Sequence, residues 1–167
     1  MASFSVKVEG MSAIIGSLTS MVGVSNTPEF RQALLNAATA VEFRAKANLQ
    51  EMVYSNPEGW YKRKHSGGGL YGTTQASGKI ERERGGISTA VVSTNKYAVY
   101  VHFGTGIYAA DGKGRKTPWV YRDEDGGFHR TVGVHPKPYL SQALKDSERE
   151  VIILLSDAVD NLSRRKK

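Results

Sequence analysis

The uneven distribution of glycine divides this chain into three parts. Fifteen of the 18 glycines lie between Gly59 and Gly133, and none lies from Val24 to Glu58 or after Gly133. Because glycine permits the backbone conformations of tight turns and weakens helix interiors, the middle part favours turns and short strands. The two glycine-free flanks favour helices, so the sequence predicts long helices on either side of a strand-rich centre.

The first flank carries a clear helix start at Thr27. Thr27 can cap the helix, Pro28 suits its first turn because the N–H it lacks would be unpaired there, and Glu29 complements the positive helix end. We expect this helix to run to about Val53. Apolar residues at helical spacing form its stripe: Phe30, Leu34, Ala37, Ala38, Val41, Ala45, Leu49 and Met52.

The second flank predicts the clearest helix of the chain, from Pro138 to about Ser163. A helix of that extent is roughly 37 Å long, more than a globule of this size needs to cover its own core. Part of it is therefore expected to face another subunit. Its apolar residues recur every three or four positions: Leu140, Ala143, Leu144, Val151, Leu154, Leu155, Ala158 and Leu162.

Alternating and β-rich segments predict the strands. Phe4–Glu9 alternates apolar and polar side chains, which is typical of a strand with one buried face. Ile80–Arg84 and Ile87–Thr94 predict a hairpin with a Gly-Gly turn. A second hairpin is expected from Trp119–Arg122 and Phe128–Val132, with an Asp-Gly-Gly turn between them.

These elements predict one α+β domain over residues 1–163, built on an antiparallel sheet of about four or five strands with the long helices packed on one face. A short helix is expected over 11–18, a flexible polar loop over about 55–72, and a basic tail at 164–167. The expected core residues are Val6, Phe30, Leu34, Val41, Val91, Leu140, Leu144, Val151 and Leu155.

The net charge of +7 invites a nucleic-acid interpretation. The tail supplies four of these charges, which leaves the body at +3 (7 − 4), a mild value for a protein that grips phosphates. The loop segment Trp60–Lys64 mixes basic and aromatic side chains, as single-strand binding surfaces do. A loop that becomes ordered against a neighbouring subunit has the same composition, and we favour that interpretation because no nucleic-acid-binding module surrounds it.

Motifs for catalysis, cofactors and metals are weak. The chain has no cysteine. Its histidines, His65, His102, His129 and His135, include no pair at the helical spacing that a zinc site uses. Gly104–Ala109 fits a loose dinucleotide pattern, but no helix is expected directly after it. We expect no enzyme activity, no cofactor and no membrane segment, although a small hydrolase with an unrecognised site stays an alternative.

Tyr97–Gly106, which ends in a glycine-threonine turn, and Gly133–Leu144, which opens the final helix between glycine and prolines, resemble segments of the tail-completion and neck proteins of long-tailed bacteriophages, a family of head–tail joining proteins. Tyr97–Gly106 is similar to that family's tyrosine-alanine segment, which ends in a glycine-threonine turn. Gly133–Leu144 is similar to the glycine- and proline-flanked start of the family's final helix. His102 stands where an acidic residue is common in the family, and Tyr139 where phenylalanine is usual.

The resemblance implies a structural virion protein at the head–tail junction, assembled in the host cytoplasm, with no catalysis. It implies a homo-oligomeric ring, with a hexamer favoured, that contacts head-closure, tail-terminator or tail-tube proteins while genome DNA passes through the lumen without specific binding. A nucleic-acid-binding protein that uses the basic loop and tail is the alternative. The expected interface residues are Trp60, Tyr61, Lys62, Arg63, Lys64, Leu70, Gly104, Thr105, Trp119 and Tyr121.

Overall fold

The structure, a computed structural model, describes the backbone of residues 4–6 and residues 27–55, 69–83, 86–122 and 126–165. Four α-helices lie in these ranges: α1 (Pro28–Leu49), α2 (Leu70–Thr73), α3 (Ala98–Phe103) and α4 (Tyr139–Arg165). The strands are β1 (Phe4–Val6), β2 (Thr74–Ala76), β3 (Glu81–Glu83), β4 (Gly86–Ser88), β5 (Val91–Ser93), β6 (Trp119–Arg122) and β7 (Phe128–Thr131).

Helix α1 begins as the sequence predicts. The Phe30 amide donates to the Thr27 hydroxyl at 3.4 Å, and Pro28 occupies the first turn, where its missing N–H costs no hydrogen bond. One π-helical turn, Gln50–Tyr54, continues the helix beyond its regular end. The predicted end near Val53 is therefore confirmed, and Val53 itself is buried.

Helix α4 lies antiparallel along α1. At one end the Asn48 amide donates to the Tyr139 carbonyl at 3.3 Å, and at the other Arg165 forms an ion pair with Glu29 at 2.9 Å. This pair of helices makes the most extensive contact between elements among the described residues. The predicted long C-terminal helix is confirmed, and no helix in the described ranges is both long and apolar enough to cross a membrane.

The strands form three small antiparallel sheets, so the predicted sheet of four or five strands is not confirmed. The sheets have the orders β1-β5-β2, β3-β4 and β6-β7. β5 does not extend β4, because the chain bends between them, where the Thr89 hydroxyl donates to the Lys79 carbonyl. β5 instead pairs with β2, with Ser93 opposite Thr74, and both side chains are buried. The predicted hairpin of Trp119–Arg122 and Phe128–Val132 is confirmed, with β7 one residue shorter.

The core lies between α1, α4 and the sheet β1-β5-β2. The predicted core residues from Phe30 to Leu155 are buried, except that Leu144 is only partly buried against the same cluster. The side chain of Val6 lies outside the described residues. These residues can be buried together because α1 presents one apolar stripe, to which both α4 and the sheet pack.

Some predicted segments lie outside the described residues: the helix over 11–18, residues 56–68 of the predicted loop, and Lys166–Lys167 of the predicted tail. Where the structure describes the end of that loop, Leu70–Thr73 forms α2. Arg164 and Arg165, assigned to the tail from sequence, belong to α4.

Candidate assembly surface

The two segments that carry the family resemblance contact each other directly. The Thr105 amide donates to the Val134 carbonyl at 2.9 Å, and the Val134 amide donates back to the Thr105 hydroxyl at 3.0 Å. One turn earlier, the Lys137 amide donates to the Val101 carbonyl at 2.8 Å. The two segments therefore form one structural unit, in which the end of α3 is bound to the residues before α4.

Three glycines make this contact possible, and we call Gly104, Gly106 and Gly133 the glycine junction. All three have positive φ, at 73°, 62° and 131°. A Cβ on Gly104 would lie 2.8 Å from the Val134 carbonyl oxygen, and a Cβ on Gly106 would collide with the Val132 carbonyl. Only glycine lets the two backbones approach this closely, because it has no Cβ and tolerates positive φ.

Helix α3 rests on the core through one face and exposes the other. Ala98, Val101 and His102 are buried, whereas Tyr100 and Phe103 are exposed. An open groove of about 500 Å³ runs beside the exposed face. Its lining includes Val99, Tyr100, Phe103, Thr105, Ala109 and Asp111.

His102 is a buried histidine on the inner face of α3. Its Nε2 lies 3.4 Å from the Ser141 hydroxyl, and its ring packs edge-on against the rings of Phe103 and Tyr139. Burial lowers the pKa of His102 below its ordinary value, since the charged imidazolium loses solvation there. The arrangement is that of a neutral histidine within a packed core.

Tyr139 anchors the start of α4 in the core. Burial raises the pKa of its phenol, and the neighbouring hydroxyls of Ser93 and Thr74 act in the opposite direction. The side chain thus reaches from α4 to two paired strands, β5 and β2. The core accommodates a tyrosine at this position because its hydroxyl has polar neighbours there.

The β6–β7 hairpin carries a second exposed surface. The register pairs Val120 with Arg130 and Arg122 with Phe128, which places these four side chains on one face of the ribbon. All four are exposed, Val120 by 59% and Phe128 by 75%. We call this set the outer hairpin face. The Arg122 guanidinium lies 5.8 Å from the centre of the Phe128 ring, so the basic and the aromatic group act as one patch.

The opposite face of the hairpin holds the two aromatic residues expected at an interface. Trp119 is half-buried, with the Arg115 guanidinium 5.8 Å from its ring, and Tyr121 lies 5.4 Å from the His129 ring at 38% exposure. The sequence analysis did not name Val120 and Phe128, although two-residue alternation along β6 already separates Val120 from Trp119 and Tyr121.

The other expected interface residues that the structure describes, Leu70, Gly104 and Thr105, do not form an exposed surface. Leu70 is buried in the core of the chain, and Gly104 is buried at the glycine junction next to the half-buried Thr105. Trp60, Tyr61, Lys62, Arg63 and Lys64 lie outside the described residues.

Within the ranges that the structure describes, no three His, Asp or Glu residues are close enough together to hold a metal ion. The acidic run Asp123–Asp125 lies outside those ranges. Among the described residues, exposed apolar side chains are grouped on α3 and on the outer hairpin face.

Comparison with known proteins found no relative of this chain. Neither protein-family models, nor curated proteins, nor solved structures gave a match to this chain.

Proposed function

We propose that this chain is a non-enzymatic structural protein of a tailed bacteriophage virion that acts at the head–tail junction, in the neck or in tail completion. It assembles with copies of itself into a ring and docks on neighbouring virion proteins. The observation that carries this proposal is the outer hairpin face, where two apolar and two basic side chains are exposed together on an arm that packs little against the rest of the described chain.

The hairpin itself supports an assembly role. Two-stranded ribbons are at best marginally stable in water on their own, and β6 and β7 contact each other far more than any other described element. A ribbon with an exposed Phe128 gains stability when another protein covers it. This is the expected behaviour of a docking arm in an assembly protein.

The glycine junction supports the link to the phage family. The two resembling segments are separated along the chain, yet Thr105 and Val134 are joined by two hydrogen bonds. A resemblance in two separate segments is more informative when those segments contact each other, because a shared structural unit requires both segments. The ring, the hexameric count and the neighbouring head-closure, tail-terminator or tail-tube proteins follow from the resemblance, as does passage of genome DNA through the lumen.

The proposal is tested on virions of the phage that encodes the chain. Gold-labelled antibody against the purified protein is expected to mark the head–tail junction in electron micrographs. Deletion of the gene is expected to give separate heads and tails, and supply of the protein in trans to restore joined particles. Virions that carry no label, or that carry it on the capsid surface or tail tip, would contradict the proposal.

Nucleic-acid binding is the second candidate, and one observation favours it. Arg122 and Arg130 flank the exposed Phe128 on a ribbon, a combination that can contact phosphates and stack on a base. DNA binding that weakens steeply with salt, and that is lost in the double variant R122E/R130E but kept in K79E/K96E, would support it. Lys79 and Lys96 are exposed basic residues away from this face, so the control carries the same change in charge.

A further inference from the structure

We propose that the outer hairpin face of one copy docks on an acidic face of α4 in the next copy. This inference deepens the proposed function and rests on it, because a ring requires a contact between two different surfaces of the same chain. The partner is a second copy of this protein, and the surface that it offers is defined by charge and shape on α4.

Five residues of α4 form what we call the acidic stripe. They follow one another at alternating spacings of four and three residues, which places them on one face of a helix. All five are exposed, and Ile153 is exposed by 51%. The stripe consists of Asp146, Glu150, Ile153, Asp157 and Asp160.

Four of the five carboxylates of α4 lie on this stripe. Between Tyr139 and Asn161 the helix carries five carboxylates and two basic residues, a net charge of −3 (2 − 5), and Arg164 and Arg165 in its last turn bring the whole helix to −1 (4 − 5), although the chain as a whole is basic at +7. Arg149 lies at the edge of the stripe and Arg164 follows Asp160 on the same face, so the acidic surface lies before this last arginine. In the part of the chain that the structure describes, Glu150, Asp157 and Asp160 form no ion pair. An exposed apolar residue set among these carboxylates matches a surface that is both apolar and basic.

The outer hairpin face has that composition. Arg122 and Arg130 occupy one diagonal of the four-residue face, while Val120 and Phe128 occupy the other. It is therefore apolar at two opposite corners and positive at the other two. On the acidic stripe, Ile153 is apolar and carboxylates lie on both sides of it, so the two surfaces are complementary in both respects.

The dimensions also agree. Glu150 and Asp157 are separated by about 10 Å along the helix axis. Arg122 and Arg130 are diagonal neighbours in the ribbon, which sets their Cα atoms roughly 7 to 8 Å apart, and each long side chain can reach outward from there. Both arginines can thus meet a carboxylate while Phe128 and Val120 cover Ile153.

The two surfaces differ, so the contact is heterologous: each copy offers its hairpin to one neighbour and its helix to the other. Repetition of such a contact closes into a ring when the rotation between copies permits it. Each interface is small, and closure of the ring makes the last contact intramolecular, which strengthens the whole assembly.

The absence of native cysteine allows a direct test by crosslinking. The variants F128C and I153C are mixed under mild oxidation and the products are separated by mass. A disulfide-linked dimer is expected in the mixture. The matched control replaces I153C with F43C, because Phe43 on α1 is also exposed and apolar, at 70%. A dimer yield no greater than that of the control would overturn the docking.

Charge exchange gives a second, independent measurement. R122E/R130E and E150R/D157R are each expected to weaken self-association of the cysteine-free protein by roughly tenfold or more, because like charges then face each other. The variant that combines all four changes is expected to regain association. K79E/K96E is expected to leave it unchanged. A combined variant no better than either parent would overturn the proposal, given circular dichroism that shows all variants folded.

Mixing the two double variants provides a further test of the contact. R122E/R130E retains an intact stripe and E150R/D157R an intact hairpin, and the acidic hairpin of the first also matches the basic stripe of the second, so both contacts form only between unlike variants. Light scattering is expected to show that the mixture regains the larger species that neither double variant forms alone, and a mixture no larger than its parents would overturn the proposal. The result could also be that R122E/R130E no longer binds DNA, while the same two changes leave the F128C–I153C crosslink unchanged. That result would overturn the role of the arginines in self-docking and favour nucleic acid as their partner.

These measurements use purified protein, so their failure is distinct from failure of the proposed function. If F128C and I153C do not crosslink but virions are still labelled at the head–tail junction, only this interface is rejected. A positive crosslink with unlabelled virions rejects the virion role and leaves a self-associating protein.

Discussion

Thr105 and Val134 hold each other through two reciprocal hydrogen bonds, at 2.9 and 3.0 Å, across 29 positions of sequence. Through this pair the end of α3, which presents the exposed Tyr100 and Phe103, is tied to the start of α4. The exposed face of α3 and the long helix are thereby held in one orientation. The first two predictions test this connection.

Substitution of Gly106 by alanine is expected to destabilise the protein strongly, by roughly 3 kcal/mol or more. Its Cβ would collide with the Val132 carbonyl, a backbone atom that cannot move away without breaking the junction. The matched control is Gly112→Ala: Gly112 has a similar φ of 69°, but a Cβ there would meet no atom within 4 Å, so it should cost only about 1 kcal/mol. Urea unfolding measures both, and equal losses would show that the close approach is not rigid.

Thr105→Val is expected to cost about 1 to 2 kcal/mol, because the half-buried Val134 amide then lacks the hydroxyl acceptor. Thr105→Ser keeps that hydroxyl and is expected to lose much less. The comparison is informative because valine matches the shape of threonine while serine matches its chemistry. Thermal unfolding of the three proteins measures the difference, and a serine variant as unstable as the valine variant would show that the loss is not specific to the hydroxyl acceptor.

Glu42 is expected to stabilise the fold at neutral pH and to lose that effect in acid. Partial burial works to raise the pKa of Glu42, but hydrogen bonds from the Ala76 amide and the Lys46 ammonium, together with the charge of Lys46, lower it overall. A carboxyl with a lowered pKa stabilises the folded state above its unfolded pKa of 4.5, and this contribution disappears as the pH falls through the folded pKa.

The test is the free energy of unfolding of Glu42→Gln from pH 7 to pH 3. The loss at pH 7 is expected to be about 1 kcal/mol and to shrink below pH 4.5. Glu81→Gln removes an exposed carboxyl and serves as the control, with an expected change near zero. A loss for Glu42→Gln that is constant over the whole range would show that its charge does not matter.

His102 is expected to weaken the fold as the medium becomes mildly acidic. Its pKa is lowered by burial, so the unfolded chain takes up a proton on this histidine, near pH 6.5, before the folded chain does. Stability is therefore full above about pH 6.5 and falls as the pH drops from there towards the lower pKa of the folded state.

His102→Gln keeps a neutral polar group at the position and should remove this part of the pH dependence. Denaturation at pH 7.5 and pH 5.5 gives the comparison, with His129→Gln on the hairpin as the control variant. An equal decrease in stability for the wild type and His102→Gln would show that another group causes it.

The helices could be predicted from the sequence because their signals are local. The Thr27 cap, Pro28 and the apolar spacing that follows are all contained within a few turns of chain, and they decide where α1 begins and which face is buried. The same holds for α4 from Tyr139 onward. The hairpin β6–β7 was also predictable, since its two strands are neighbours in sequence.

The candidate surface was only partly predictable. The hairpin was identified, but the residues chosen, Trp119 and Tyr121, lie on its less exposed face, opposite the exposed Val120 and Phe128. Alternation along a strand separates two faces without saying which one the rest of the protein covers. Leu70 was misjudged for the same reason: an apolar residue beside a glycine-rich segment can pack inward or outward, and packing in three dimensions decided it.

The sequence by itself determined the two long helices, their buried stripes and the glycine-rich strand region between them, because helical periodicity and glycine content act over a few residues. Only the tertiary structure decided that the strands divide into three small sheets and that β5 pairs with β2. It alone brought Gly106 against Val132 and decided that the outer hairpin face and the acidic stripe are exposed. Those relationships depend on contacts between distant residues, which local spacing does not encode.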